Sequence, residues 1–205
     1  MAHVDYRVCM QWWLHLPLPC LRHSPTQCYC WQAGNHDGRP AQADVFGEHD
    51  LCCKSHDTLT RHNLVCGALR RVARLVGLSA RLASVLDMRP ADDAAADGAD
   101  RSKKQPDVVV DDWHSHAGPL LVDVCVSHPT AASHLKNYTR SVVGGVVAAK
   151  IEGAKNTKYG PLAEARGFSF LPFGLETYGT WGPHAAQVLA DLCAHAEAVS
   201  ASQSA

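Results

Sequence analysis

Hydrophobic and polar positions follow no regular period in residues 1–56 and then settle into one. That first stretch is rich in Cys, His, Trp and Pro, and predicts a small irregular module held by something other than an apolar core. From Thr58 the spacing becomes helical: Leu64, Leu69, Val72, Leu75 and Val76 recur on one another's faces, with Arg70, Arg71 and Arg74 among them. A helix is expected to start near Thr58 and break near Gly77, with a second short helix over 79–86. Residues 88–105, low in apolar bulk and rich in Ala and Asp, read as a mobile loop.

Beyond it, 108–110 and 120–126 are short apolar runs of the kind that form buried strands. The connector D-D-W-H-S-H-A-G-P carries Gly and Pro, so the two strands are expected to pair as a hairpin, with Trp113 to His116 on its surface loop. Residues 131–166 are helical in composition, though Gly144, Gly145 and Gly153 weaken the pattern, and Gly160-Pro161 is expected to end it. A third strand is expected over 168–176, and a last helix over 183–200 that opens after Gly182-Pro183. This order predicts an α/β fold with a mixed sheet flanked by helices. It divides the chain into an N-terminal module (1–56), a main domain (57–200) and a tail (201–205).

Composition narrows the picture. A chain of 205 residues suits one domain with or without a small appended module, and a hydrophobic fraction of 46% allows a core. The formal net charge is −1 and the pI about 6.9. That balance argues against tight, charge-driven nucleic-acid binding, though not against a local basic groove. No apolar run approaches the roughly 20 residues needed to cross a bilayer, so no membrane partner is expected. The N-terminus lacks the pattern of a signal peptide, so the chain is expected to be intracellular and not secreted. Nine cysteines in that setting favour thiols and metal ligands over disulfides, and thirteen histidines add to the metal reading.

Four groups of residues could carry chemistry. Asp107 follows Pro106 and opens the first strand, while Asp123 lies between Val122 and Val124 in a run without other charge. A buried unpaired carboxylate is costly, and a hairpin brings one acid from each strand to a shared end, where Mg²⁺ or Mn²⁺ could bind. Lys150, Lys155 and Lys158 follow on a helix; Lys155 and Lys158 are expected to share a face, and either could orient a water and stabilise phosphorane charge. Cys28, Cys30, His49 and Cys53 offer three thiolates and one imidazole for a structural Zn²⁺; Cys52 competes with Cys53, and Cys20, His23, His36 and His56 are substitutes. Arg61-His62 could contact phosphate from the start of the first helix.

In this order, these motifs resemble the restriction-endonuclease-like domain of site-specific non-LTR retrotransposons, a branch of the PD-(D/E)XK nuclease superfamily found C-terminal to reverse transcriptase. The matching residues are the Cys28/Cys30/His49/Cys53 knuckle, Arg61-His62, Pro106-Asp107, Asp123 and Lys155-Asn-Thr-Lys158-Tyr159, and F-S-F-L-P-F-G-L-E-T-Y-G looks like the family's closing strand. The resemblance implies a restriction-endonuclease-like sheet and a nuclease that nicks DNA to leave a 3′-hydroxyl. Asp107 and Asp123 would be its metal ligands and Lys155 or Lys158 its catalytic lysine. Arg61, His62, Lys150 and Tyr159 would lie on the DNA. A reverse transcriptase is the implied partner and the nucleus the implied location.

The chain also departs from the superfamily pattern. Cys125 stands where the acid-x-lysine motif has lysine, Gln105 stands where a basic residue precedes P-D, and no glutamate lies between His49 and Glu152. The alternative reading is a catalytically inactive, zinc-containing nucleic-acid-binding remnant.

Overall fold

The computed structural model describes residues 27–28, 41–42, 46, 48–53, 58–84, 106–113, 118–131, 133–135 and 144–203. Contacts divide the chain into two units, Met1–Arg61 with His128–Arg140, and His62–Ser127 with Ser141–Ala205. The expected loop over 88–105 falls outside the described residues.

In the first unit, β1 (Gln27–Cys28) pairs antiparallel with β2 (Ala41–Gln42), and a short helix, α1, spans Glu48–Cys52. Glu48 joins this helix to residues that follow the main sheet: its Oε2 lies 2.6 Å from His128 Nε2 and accepts a 2.6 Å hydrogen bond from the Thr130 hydroxyl. His128 is buried, so this carboxylate gives a polar group inside the unit the partner that burial demands.

The second unit is built on a four-stranded mixed sheet, in the order β3 (Ala80–Leu82), β4 (Val108–Val110), β5 (Leu120–Ser127) and β6 (Ser169–Glu176). The first three strands are antiparallel and β6 runs parallel to β5. A parallel neighbour needs a crossover connection, and α3 (Val146–Glu164) lies between these two strands in sequence. The helix α2 (Thr58–Leu75) precedes the sheet and α4 (Pro183–Gln203) follows it. No helix among the described residues is long and apolar enough to cross a membrane.

Strand alternation sorts the core into two faces. Val108, Val110, Leu120, Val122 and Val124 pack in one cluster with Cys66, Leu69 and Ala73 of α2 and Ala185, Val188 and Leu192 of α4. Val109 and Leu121 point the other way, into a cluster with Ala163 of α3 and Phe170. With helices on both faces, β5 is apolar on both sides and needs no polar alternation. Its one interior charge, Asp123, therefore stands out.

Two buried glutamates tie the helices to this sheet. Glu176, at the end of β6, accepts hydrogen bonds from Gly145 N–H (3.1 Å), Val147 N–H (2.9 Å) and Ala148 N–H (3.2 Å) at the start of α3. Glu152, fully buried within α3, accepts from Gly174 (2.8 Å) in β6 and from His184 and Ala185 (2.9 Å each) at the start of α4. Each satisfies N–H groups that a helix start leaves orphaned and places a negative charge at the positive end of the helix dipole. The seat for Glu152 depends on glycine: a Cβ at Gly174 would come within 2.9 Å of its Cγ, and one at Gly182 would collide with its carboxylate.

Four expectations need correction. Residues 79–86 are not a helix: Ala80–Leu82 form the edge strand β3, whose partners are Val108–Val110. The third helix starts at Val146, after Gly145 in a left-handed conformation (φ 87°), whereas Ala131, Ser133 and His134 lie in bends and turns. Gly160-Pro161 does not end that helix, which runs on to Glu164; Pro161 sits in its final turn, where a missing N–H removes one hydrogen bond near the end. Trp113 is not on a surface loop but is buried in the first core cluster; His114 to His116 lie outside the described residues.

Candidate metal-dependent active site

The antiparallel pairing of β4 and β5 puts two acids at one end of the sheet. Val108 lies opposite Val122, and one residue beyond that pair stand Asp107 and Asp123. The backbone fixes Asp107 on both sides, because its N–H donates to the Val122 carbonyl (2.9 Å) and its carbonyl accepts from Ala83 N–H (3.0 Å). Its side chain turns back onto the same strand pair, where Oδ2 accepts a 2.6 Å hydrogen bond from Val124 N–H.

The two carboxylates feel each other directly, and each has its own cationic partner. Lys155 Nζ, on α3, donates to Asp123 Oδ2 at 2.6 Å. His62 Nε2, on α2, lies 3.1 Å from Asp107 Oδ2. Burial drives the Asp123 pKa upward and the charge of Asp107 adds to it; the hydrogen bond and charge of Lys155 offset only part of this rise. Asp107 goes the opposite way: burial would raise it, but the hydrogen bond and charge of His62 and the Val124 N–H together hold it below its usual range. The pair thus holds one firmly ionised carboxylate beside one that is reluctant to ionise, as expected when two acids share a desolvated space.

Lys155 stays charged. Burial opposes its ammonium, but the hydrogen bond and charge of Asp123 outweigh that and raise its pKa. His62 is raised to about 11, first by its hydrogen bond to Asp107 and next by that to Cys66, whose Sγ is 3.7 Å from Nδ1. An imidazolium therefore stands on α2, beside the Asp107 carboxylate.

Lys155 and Lys158, read as sharing a helix face, differ in burial: the first is half-buried and the second exposed. Three residues turn an α-helix by about 300°, leaving Lys158 about 60° from Lys155. Lys155 shares the sheet-facing stripe of Ala148, Glu152, Tyr159 and Ala163, while Lys158 is exposed with its Nζ 4.8 Å from the centre of the Tyr159 ring. Tyr159 in turn packs at a tilt against Phe170, ring centres 5.9 Å apart. Lys150 is exposed. Cys125, two residues after Asp123, directs its thiol to the Phe173 carbonyl (3.7 Å), and burial pushes its pKa up to about 12. It cannot supply the positive charge, which reaches Asp123 from α3 instead.

The remaining candidates divide. Arg61 donates from Nη2 to the Leu51 carbonyl at 2.9 Å within the first unit. Of the zinc candidates, Cys30 and the side chain of Cys28 lie outside the described residues. His49 and Cys53 are one turn apart, with the Cys53 N–H on the His49 carbonyl (2.8 Å) and the Cys53 side chain buried. A cleft of about 800 Å³ also opens beside α3, lined by Asn156, Thr157, Glu164 and Phe168 among others, but neither acid lines it.

Sequence reasoning missed Cys66, Glu152 and Glu176. Cys66 had a legible signal in the four-residue spacing from His62, which puts both on one helix face. Glu152 is the one acid of α3 before its last residue, Glu164, and Glu176 closes an apolar strand. No family model matches the sequence, and no curated protein matches it.

Proposed function

We propose that this chain is a metal-dependent DNA endonuclease of restriction-endonuclease-like fold and retroelement origin. The observation that carries the reading is the convergence of Asp107, Asp123 and Lys155 at one sheet end, from two strands and a crossover helix. The donor set fits Mg²⁺ or Mn²⁺: two carboxylates, partly desolvated, in mutual repulsion that a divalent cation would relieve. Asp107 and Asp123 would hold the ion, which when bound would polarise the scissile phosphate and activate a water.

The chain's own groups supply the rest. Lys155 is held charged, so it acts as a donor and a positive charge for the phosphorane, not as a proton acceptor. Asp123 anchors it there. His62 fixes the Asp107 carboxylate from the other helix. Lys150, Lys158 and Tyr159, farther along or off the stripe of α3, would meet the DNA backbone; Arg61 is a weaker candidate, since its guanidinium already serves Leu51. A structural Zn²⁺ on Cys28, Cys30, His49 and Cys53 and a reverse-transcriptase partner in the nucleus belong to the same reading.

The second reading, an inactive zinc-containing nucleic-acid-binding remnant, is favoured by a specific observation. Asp107 already has an imidazolium partner, so an ion must compete with it. A plasmid-nicking assay separates the two, using Mg²⁺ or Mn²⁺ against EDTA with Asp107→Ala and Asp123→Ala alongside. Metal-dependent nicking that both variants lose is the expected result. A folded wild type that nicks nothing would leave the remnant reading in its place.

A further inference from the structure

Beside the acid pair, a second donor set has different chemistry. His62 and Cys66 are one helical turn apart on α2 and face the same point. Cys66 Sγ lies 3.7 Å from His62 Nδ1 and 3.9 Å from Nε2, and His62 Nε2 lies 3.1 Å from Asp107 Oδ2. One ligand atom from each of the three residues falls within 4.8 Å of the others. Bonds of roughly 2.0–2.3 Å in a tetrahedral zinc site put neighbouring donors about 3.3–3.7 Å apart, so only small side-chain movements separate this arrangement from a bound one.

The donor types also discriminate. Thiolate, imidazole and carboxylate together suit Zn²⁺ or Co²⁺, whereas Mg²⁺ prefers oxygen alone. Cys66 is buried and held in the core, while His62 and Asp107 are partly open to solvent, which gives an ion a way in. Three protein ligands would leave a fourth position for water, as in zinc sites that are not purely structural.

We propose that His62, Cys66 and Asp107 form a binding site for a thiophilic divalent cation, with Zn²⁺ the metal of matching chemistry. None of its residues belongs to the N-terminal Cys/His set. On binding, the imidazole nitrogen, thiolate sulfur and carboxylate oxygen each bond the ion, and the imidazolium and thiol protons pass to solvent. A consequence rests on the nuclease reading. Because Asp107 serves both sites, zinc here would draw it away from the acid pair, so excess Zn²⁺ would suppress Mg²⁺-dependent nicking.

Cobalt titration of the full chain under reducing conditions tests the site without reference to activity. Thiolate-to-cobalt charge-transfer absorbance is compared in wild type, Cys66→Ala and His62→Gln, with circular dichroism as the check on folding. Each variant is expected to lose one equivalent of tetrahedral cobalt, or to bind it more than about tenfold more weakly. The N-terminal cysteines contribute equally to all three proteins and cancel. Equal stoichiometry and absorbance in wild type and a folded variant overturn the site. His62→Gln, at a partly exposed position, decides the matter should Cys66→Ala misfold. Zinc inhibition of nicking that Cys66→Ala relieves would support the consequence; a cobalt site in a protein that nicks nothing would leave the site standing and remove the nuclease reading alone.

Discussion

Asp107 answers to three groups at once: a strand amide, an imidazolium and a second carboxylate. The imidazolium makes its bond measurable. The His62 pKa is raised from its ordinary 6.5 to about 11, so the stability it contributes is full below about pH 6.5 and is lost as pH rises toward 11. Asp107 is lowered from its ordinary 3.8, so its own share is full above that value and is lost in more acid solution. The stability difference between wild type and His62→Gln should thus be greatest between about pH 4 and 6.5, in urea melts with a chelator present, and shrink on the alkaline side; a difference flat across pH 5 to 10 would contradict the pairing. On the nuclease reading, Lys155→Ala should lower nicking by about 100-fold or more, as loss of a charge-stabilising donor does, while Lys158→Ala should leave the chemical step near wild type in single-turnover kinetics. Both acids were legible in the sequence, Asp123 because a charge in an all-apolar strand demands a partner. Which lysine reaches Asp123 was not, because it depends on which stripe of α3 meets the sheet.

Among the elements, those with strong local periodicity were legible and those decided by neighbours were not. The helix α2 and the strands β4, β5 and β6 follow their apolar spacing. The run S-A-R-L-A-S-V-L has helix-favouring residues, yet Ala80–Leu82 join Val108–Val110, because a sheet edge supplies backbone partners that propensity does not register. The start of α3 was hidden for a similar reason: its cap, Glu176, comes from a strand 31 residues away from Gly145, so no local capping signal precedes it. Glu152→Ala and Glu176→Ala would each leave three N–H groups without their acceptor. Each should lower unfolding free energy by on the order of 3 kcal/mol, read from denaturant midpoints. A loss within about 0.5 kcal/mol, the range of ordinary surface substitutions, would mean that water replaces the carboxylate freely.

For the molecule as a whole, the α/β class and a mixed sheet flanked by helices were legible from the order of helical and strand patterns. Contacts group His128–Arg140 with the N-terminal residues, where Glu48 lies 80 and 82 residues from its partners His128 and Thr130. In the second unit β5 is central, paired on both edges and buried on both faces. Its amides should exchange slowest with deuterium and those of β3 fastest among the strands, since protection follows burial and pairing; the reverse order would contradict the topology. The glycine seat of Glu152 has a consequence of another kind. A side chain at Gly174 or Gly182 and a carboxylate at position 152 exclude each other, so neither glycine can gain a side chain while Glu152 is kept. In a library of random variants selected for folding, side chains at 174 and 182 should appear only where Glu152 has been lost, which makes one buried acid a record of two glycines far from it in the chain.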